Sequence, residues 1–346
     1  MNIAQITSVY ISVPPKTHGG TELMVYHLTE GLVRRGHSVE LFASGDSKVS
    51  CKVNAVVPVA TLEDREMTTY IDKEMETRNT FNLYRQAHRF DIIHSHWPTL
   101  APYFSPSTST PTVVTYAYIE RPLHQYYRSN FPNIHPVCVS KAQARVLGEA
   151  DLPVVYNGVD VEAIPFNDNP EDFLIVVGRI VPNKGIADAI RVARAARERL
   201  MIVGDMTQYI PWSRPYFDEE VKPFIDGEQI QHIERLPNKE LTKLMGRAKA
   251  FIFPIQWEEP FGLVVIEAMA AGTPVIAYPK GAMPEIIRDG LNGFLVQSEE
   301  EMVAALGKVA SIDRKQCRRW VETNFPVEKM VQDYERLYRH ILERRR

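Results

Sequence analysis

Cysteine is nearly absent. The 346 residues hold three, Cys51, Cys138 and Cys317, far apart in the chain, which excludes a disulfide framework and a thiolate cluster with metal-ligand spacing. No apolar run exceeds the length of a strand or a short helix, so nothing in the sequence is long enough to span a bilayer. Charge of one sign is also missing. Forty Lys and Arg stand against 43 Asp and Glu, a formal net charge of -3, and no bulk basic field is present to hold nucleic acid. The opening MNIAQITSVYISVPP has neither the basic start nor the long apolar core of a signal peptide. No G-x-G-x-x-G follows a strand, so a dinucleotide oxidoreductase is poorly supported. Neither a short-period repeat nor a low-complexity tract interrupts the chain. A cytoplasmic protein with reduced thiols, no nucleic-acid partner and at most peripheral membrane contact is the expectation.

What is present is an ordinary globular composition, 45% hydrophobic and 24% charged, at a length that suggests two domains. Short β-branched runs alternate with amphipathic helices. NIAQITSV (2–9), HSVELFA (37–43), DIIHS (91–95), TVVTY (112–116), HPVCVS (135–140) and VVY (154–156) read as strands. Residues 21–35, most of 63–90 and a stretch near 141–149 read as helix. The turn formers and acids of 157–172 read as a linker. The rhythm then restarts with strands FLIVVG (173–178), LMIVGD (200–205), QIQHIE (229–234), AFIFP (250–254) and PVIAY (274–278), and helices near 186–198 and 239–247. Such alternation predicts an α/β protein of two doubly wound, Rossmann-like domains with parallel sheets, facing across a cleft. Ligands in such sheets sit beyond the carboxyl ends of the strands.

The segment EPFGLVVIEAMAAGTPV (259–275) poses a chemical question. Its apolar helix pattern, read as 261–271, keeps Glu267 among Val265, Ile266, Ala268 and Met269. A buried charge is costly unless something binds it. Glu267 is therefore either paired with a cation inside the protein or waiting for a ligand. Upstream, RIVPNKG places Arg179 and Lys184 in one loop, a pair suited to a phosphate or diphosphate. The helix start after IQWEEPFG offers unsatisfied N–H groups to the same ligand, with Pro260 expected in its first turn. Glu259 and Glu267, roughly 12 Å apart if the intervening residues are helical, would serve two diols flanking a diphosphate. Diol, diphosphate and diol together describe a nucleotide sugar.

These residues resemble the E-x7-E signature of the retaining glycosyltransferases of family 4, which have the GT-B fold. The resemblance runs along nearly the whole chain: GGTELMVYHLTEGLVRRGHSVELFA (19–43), DIIHSH (91–96), NGVD (157–160), GRIVPNKG (178–185), KGAMPEII (280–287) and DGLNGFLV (289–296) match it. It implies that Glu259 binds hydroxyls of the donor sugar and Glu267 the ribose, while Arg179 and Lys184 neutralise the departing diphosphate. Phe261, Gly262 and Leu263 would support that group through their backbone. Gly19 and Gly20 would let their loop approach the diphosphate or the acceptor. The base would lie near Leu236 and Pro237. His18 and Glu285 are further candidates for substrate contact.

The family works without a metal or other cofactor, in keeping with the lack of a D-x-D-like pair in a suitable loop, and its leaving phosphate is taken to accept the acceptor's proton. The implied boundaries are an acceptor-binding domain over 1–158, a nucleotide-sugar domain over 159–318, and a helix over 319–346 that returns to the first domain. Members often carry a sugar-facing histidine where VVTY ends; here Ala117 stands there, with Tyr116, Tyr118 and His124 as neighbours able to substitute.

Other readings stay open at this point. His94 and His96 look like a metal pair without a third ligand, and hydrogen-bonded structural histidines fit them better. Trp257 fits a packing role better than a wall of a sugar pocket. The expectation is a retaining, metal-independent glycosyltransferase that moves a sugar from a nucleotide donor, UDP-linked by preference, to a hydroxyl of a small molecule, an oligosaccharide or a lipid-linked glycan. A nucleotide-sugar epimerase of the same fold and a non-enzymatic nucleotide-sugar binder are the alternatives.

Overall fold

The computed structural model describes residues 1–17, 19–64, 66–206 and 210–344. The chain divides into two compact units, Met1–Gly158 with Val327–Arg346, and Val159–Pro326. Each is built on a six-stranded, all-parallel sheet.

In the first unit β1 (Asn2–Ile6), β2 (Ser38–Phe42), β3 (Lys52–Asn54), β4 (Ile92–Ser95), β5 (Thr112–Tyr116) and β6 (Ile134–Cys138) run in the order β3-β2-β1-β4-β5-β6. In the second, β7 (Leu174–Val177), β8 (Leu200–Val203), β9 (Ile230–Ile233), β10 (Ala250–Phe253), β11 (Val275–Ala277) and β12 (Gly293–Leu295) run β12-β11-β10-β7-β8-β9. The two orders are one topology, with the chain reversing its winding beside the first strand of each unit. That reversal is the switch point at which doubly wound sheets bind ligands.

The central strands are buried throughout because helices cover both faces. IIHS, TVVTY, LIVV and AFIF are buried at every position. Expected and observed elements differ mostly at the sheet edges. The three-residue strands β3 and β12 are too short to show a period. VVY forms only an isolated parallel bridge, Val154 to Cys138. Helix Arg121–Asn130 lies in a stretch whose polarity hid it: RPLHQYYRSN buries only His124 and Tyr127.

The last part of the chain is two helices. The sequence reading let the returning helix begin at 319, but helix Arg314–Asn324 belongs to the second unit. Buried Arg314 ties it there, donating to the carbonyls of Asn167 (2.8 Å), Gly246 (2.6 Å) and Ala248 (3.1 Å) and to Thr273 Oγ1 (2.9 Å). Arg318 donates to the carbonyls of Ile164, Val161 and Ala270. Helix Val327–Glu343 then lies in the first unit.

Tyr334 and Tyr338 of that last helix complete a buried polar seam at the carboxyl end of β4. His94 Nδ1 lies 2.6 Å from Tyr338 Oη, His94 Nε2 lies 2.7 Å from Thr115 Oγ1, and Thr115 Oγ1 lies 2.8 Å from Tyr334 Oη. His96 Nε2 meets Gln5 Oε1 at 2.6 Å, and Gln5 donates to Tyr338 Oη at 3.3 Å. Burial holds both imidazoles neutral, pushing His96 down to about 3 and His94 well below its usual value. The histidine pair is therefore structural. Tyr338→Phe strands a buried nitrogen of His94, and we expect it to cost about 1–3 kcal/mol, read as a lower urea midpoint; an unchanged midpoint would show that the seam contributes nothing.

Candidate active site

The loops that leave β7 and β10 meet at the switch point of the second sheet. The loop after β7 runs through Arg179 to a single turn, Pro182–Lys184, and Gly185. Gly185 has φ 69°, and a Cβ there would fall 2.0 Å from the Pro254 carbonyl oxygen. Only glycine lets this loop press against the end of β10. The consequence is an ion pair: Lys184 Nζ lies 2.6 Å from Glu259 Oε2, and both side chains are mostly buried.

Trp257 belongs to the same cluster. Its indole N–H donates to Glu259 Oε2 at 2.9 Å, while Lys184 Nζ sits 5.1 Å from the Trp257 ring and 5.9 Å from that of Phe253, within reach of cation–π attraction. The loop after β11 supports the Glu259 backbone from behind. Ala282 N donates to the Glu259 carbonyl (2.9 Å), and Gly281 N donates to Glu258 Oε2 (2.7 Å). Gly281 has φ 58°, and a Cβ would fall 2.2 Å from the Glu259 oxygen. Glu285 is half-buried in the turn Met283–Ile286 of that loop.

The E-x7-E helix starts later than its sequence pattern suggests. It spans Leu263–Ala270, with Gly262 as N-cap in a left-handed conformation. Pro260 therefore precedes the helix rather than lying in its first turn. Glu259 and Glu267 are not joined by continuous helix, and Glu267 stands only about 6 Å along the axis from Leu263. Gly262 has no side chain to cap the amides, so the first turn is left to whatever binds there. Phe261 is buried edge-on against Phe325, 5.7 Å between ring centres.

Glu267 is 5% exposed. Among the described residues no lysine or arginine reaches it. Its side chain's one hydrogen bond there comes from Asn238 Nδ2, 3.0 Å from Oε1, and burial raises its pKa. The alternative of an internal cation is thus answered in favour of a carboxylate held by an amide alone. Asn238 opens helix Asn238–Arg247 directly after Leu236 and Pro237, and Pro237 is that helix's N-cap. The structure therefore brings the Leu236–Pro237 segment next to Glu267. Arg179 is exposed and, among the described residues, forms no ion pair.

Gly19 and Gly20 lie in the first unit, where Gly19 caps helix Gly20–Arg34. His18 lies outside the described residues. In that helix's first turn Glu22 is buried, and burial pushes its pKa up to about 7. Burial also pushes Glu76 up to about 7, although Ser8 Oγ and Val9 N (2.9 Å) donate to it. Neither buried carboxyl was picked out from sequence, because both read as charges on amphipathic helices. Of the residues proposed to substitute at Ala117, Tyr116 and His124 are fully buried and face each other, Tyr116 Oη 3.4 Å from His124 Nδ1. Tyr118 alone is exposed.

Two Rossmann-like units with basic and acidic side chains at the switch point of the second are the architecture of a GT-B type glycosyltransferase. The family models agree along the chain: "Glycosyltransferase Family 4" matches residues 18–163 and "Glycosyl transferases group 1" matches 161–325. The chain belongs to the family 4 glycosyltransferases. It is 27% identical over 343 residues to the uncharacterized glycosyltransferase MJ1607 of Methanocaldococcus jannaschii, covering 86% of this chain and 85% of that one. Among solved structures it resembles AviGT4, a glycosyltransferase involved in avilamycin A biosynthesis (TM-score 0.75, 23% identity, 99% of this chain and 98% of that one). It also resembles Anabaena Alr3699/HepE in complex with UDP and glucose (TM-score 0.73, 18% identity, 97% and 98%). At these identities the structural likeness carries the fold. No helix among the described residues is long and apolar enough to cross a membrane.

Proposed function

We propose that the chain moves a sugar from a UDP-linked donor to a hydroxyl of a small molecule or oligosaccharide, with retention at the anomeric carbon and without a metal. The observation that carries this reading is Glu267, a buried carboxylate held only by Asn238 among the described residues, on the helix that follows the Lys184–Glu259 pair. A ribose diol satisfies such a carboxylate with two charge-assisted hydrogen bonds. The diphosphate then lies toward Lys184, Arg179 and the amides of Phe261, Gly262 and Leu263, and the sugar toward Glu259. The base lies against Leu236 and Pro237.

In the reaction the bond from the anomeric carbon to the diphosphate oxygen breaks, and a bond to the acceptor oxygen forms on the same face. The leaving phosphate oxygen takes the acceptor's proton, so the counter-charge that stabilises it comes from Lys184, Arg179 and the helix start. One neighbour of the same fold, Anabaena Alr3699/HepE, crystallised with UDP and with UDP-glucose, supports the choice of uridine, and another, starch synthase IV of Arabidopsis thaliana bound to ADP, makes adenosine the competitor to test.

The test is turnover with a panel of UDP-, GDP- and ADP-linked sugars, reading released nucleoside diphosphate and the anomeric configuration of the product. Release from UDP-sugars, unchanged by EDTA, is expected. Release from GDP- or ADP-sugars alone would refute uridine, an inverted product would refute retention, and loss with EDTA would refute metal independence. A donor interconverted without release, or bound without turnover, would favour the epimerase or the binder.

A further inference from the structure

Lys184 and Glu259 pose a conflict within that reading. In the structure Lys184 is neutralised by Glu259, yet the donor needs the ammonium for its diphosphate and the carboxylate for its sugar. When the ammonium turns to phosphate, a carboxylate held by it alone would lose its orientation. We propose that Trp257 resolves this conflict as a positioning residue. Its indole N–H fixes the Glu259 carboxylate independently of Lys184, and its ring face holds the ammonium beside the same carboxylate.

Three features support the assignment, which rests on the donor-site reading above. Trp257 Nε1 and Lys184 Nζ converge on one oxygen, Glu259 Oε2, at 2.9 and 2.6 Å, and no protein donor among the described residues is assigned to Oε1. The sugar hydroxyls thus have an oxygen that neither partner occupies. The Glu259 backbone is already fixed through Ala282, so the freedom left to this residue is that of its side chain. Finally, the ammonium lies near the faces of two rings, Trp257 and Phe253, and an aromatic face attracts it without competing for the N–H groups that a diphosphate will use.

The experiment compares the full-length wild type with Trp257→Phe, alone and on a Glu259→Ala background, in donor turnover and in binding of the bare nucleoside diphosphate. Phenylalanine keeps an aromatic face and most of the volume but has no N–H. The expected result is a fall in kcat of about tenfold, with the dissociation constant of the nucleoside diphosphate within about twofold of wild type. On the Glu259→Ala background the same substitution is expected to change kcat by less than about twofold, because the group it positions is gone. Wild-type kcat in Trp257→Phe would overturn the proposal. So would an equal loss on both backgrounds, which marks a packing role, or a loss of nucleotide affinity that accounts for the whole effect. A wild-type chain that turns over no nucleotide sugar fails one step earlier and overturns the donor-site reading itself.

Discussion

Lys184→Ala is expected to lower kcat by more than a hundredfold, and Arg179→Ala by about a hundredfold. Removing one donor aimed at charge that develops in the transition state costs roughly 3 kcal/mol, and the departing diphosphate gathers such charge. The two variants should differ because the surroundings of the two cations differ. Arg179 is exposed, so its loss leaves the ground state intact. Lys184 neutralises Glu259 in a mostly buried pair. Its loss removes a cation from the phosphate and leaves an uncompensated carboxylate beside it, which repels the donor. Lys184→Ala should therefore also raise the donor KM, whereas Arg179→Ala should act mainly on kcat. Kinetics on folded variants, with circular dichroism as the control, check both effects. Equal losses, or a wild-type kcat in either variant, would refute the roles given to them.

The sequence carried the second unit's site more fully than its surroundings, and the reason is local. Lys184, Glu259 and Glu267 stand out because each is a charge placed in or beside an apolar element, and the cost of such a placement is visible in the residue pattern alone. Trp257 and Asn238 carry no such signal. An aromatic residue before a helix reads as packing, and an asparagine at a helix start reads as turn chemistry. Their importance comes from what they touch across loops that the sequence does not place relative to one another. The same holds for the helix start. The apolar pattern continues through Phe261, so periodicity extends the helix to include it, while the left-handed Gly262 delays it to Leu263. The fold was legible wherever strands are long and buried on both faces. It was not legible at β3 and β12, three residues each, or at the return of the chain, where buried Arg314 and half-buried Arg318 read as two more charges on a basic helix.

Glu267 should show a stability cost and a binding gain in one residue. Burial raises its folded-state pKa above the unfolded value, and among the described residues only Asn238 opposes this. For a group shifted in this direction, the native state holds the proton more tightly than the unfolded chain. The stability it contributes is present at low pH and is lost as pH rises through the folded-state pKa. Glu267→Gln keeps the shape and the bond to Asn238 but cannot ionise, so it escapes that loss. The nucleotide-free variant is expected to unfold at a higher temperature than wild type, with a gap that widens as pH rises above the ordinary carboxylate range. Taking the difference between variant and wild type matters, because Glu22 and Glu76, both pushed up to about 7, give the whole protein a trend of the same sign. The same substitution should weaken binding of the bare nucleoside diphosphate about tenfold or more, since charge-assisted hydrogen bonds to the ribose are worth roughly 1.5–3 kcal/mol. Glu259→Ala, which removes the carboxylate proposed to serve the sugar, should leave that binding nearly unchanged and reduce transfer instead. Calorimetry on the two variants separates these roles. If both lose the bare nucleotide equally, the assignment of ribose to Glu267 and sugar to Glu259 is wrong; if Glu267→Gln is destabilised at pH 8, its carboxylate is stabilised by more than Asn238.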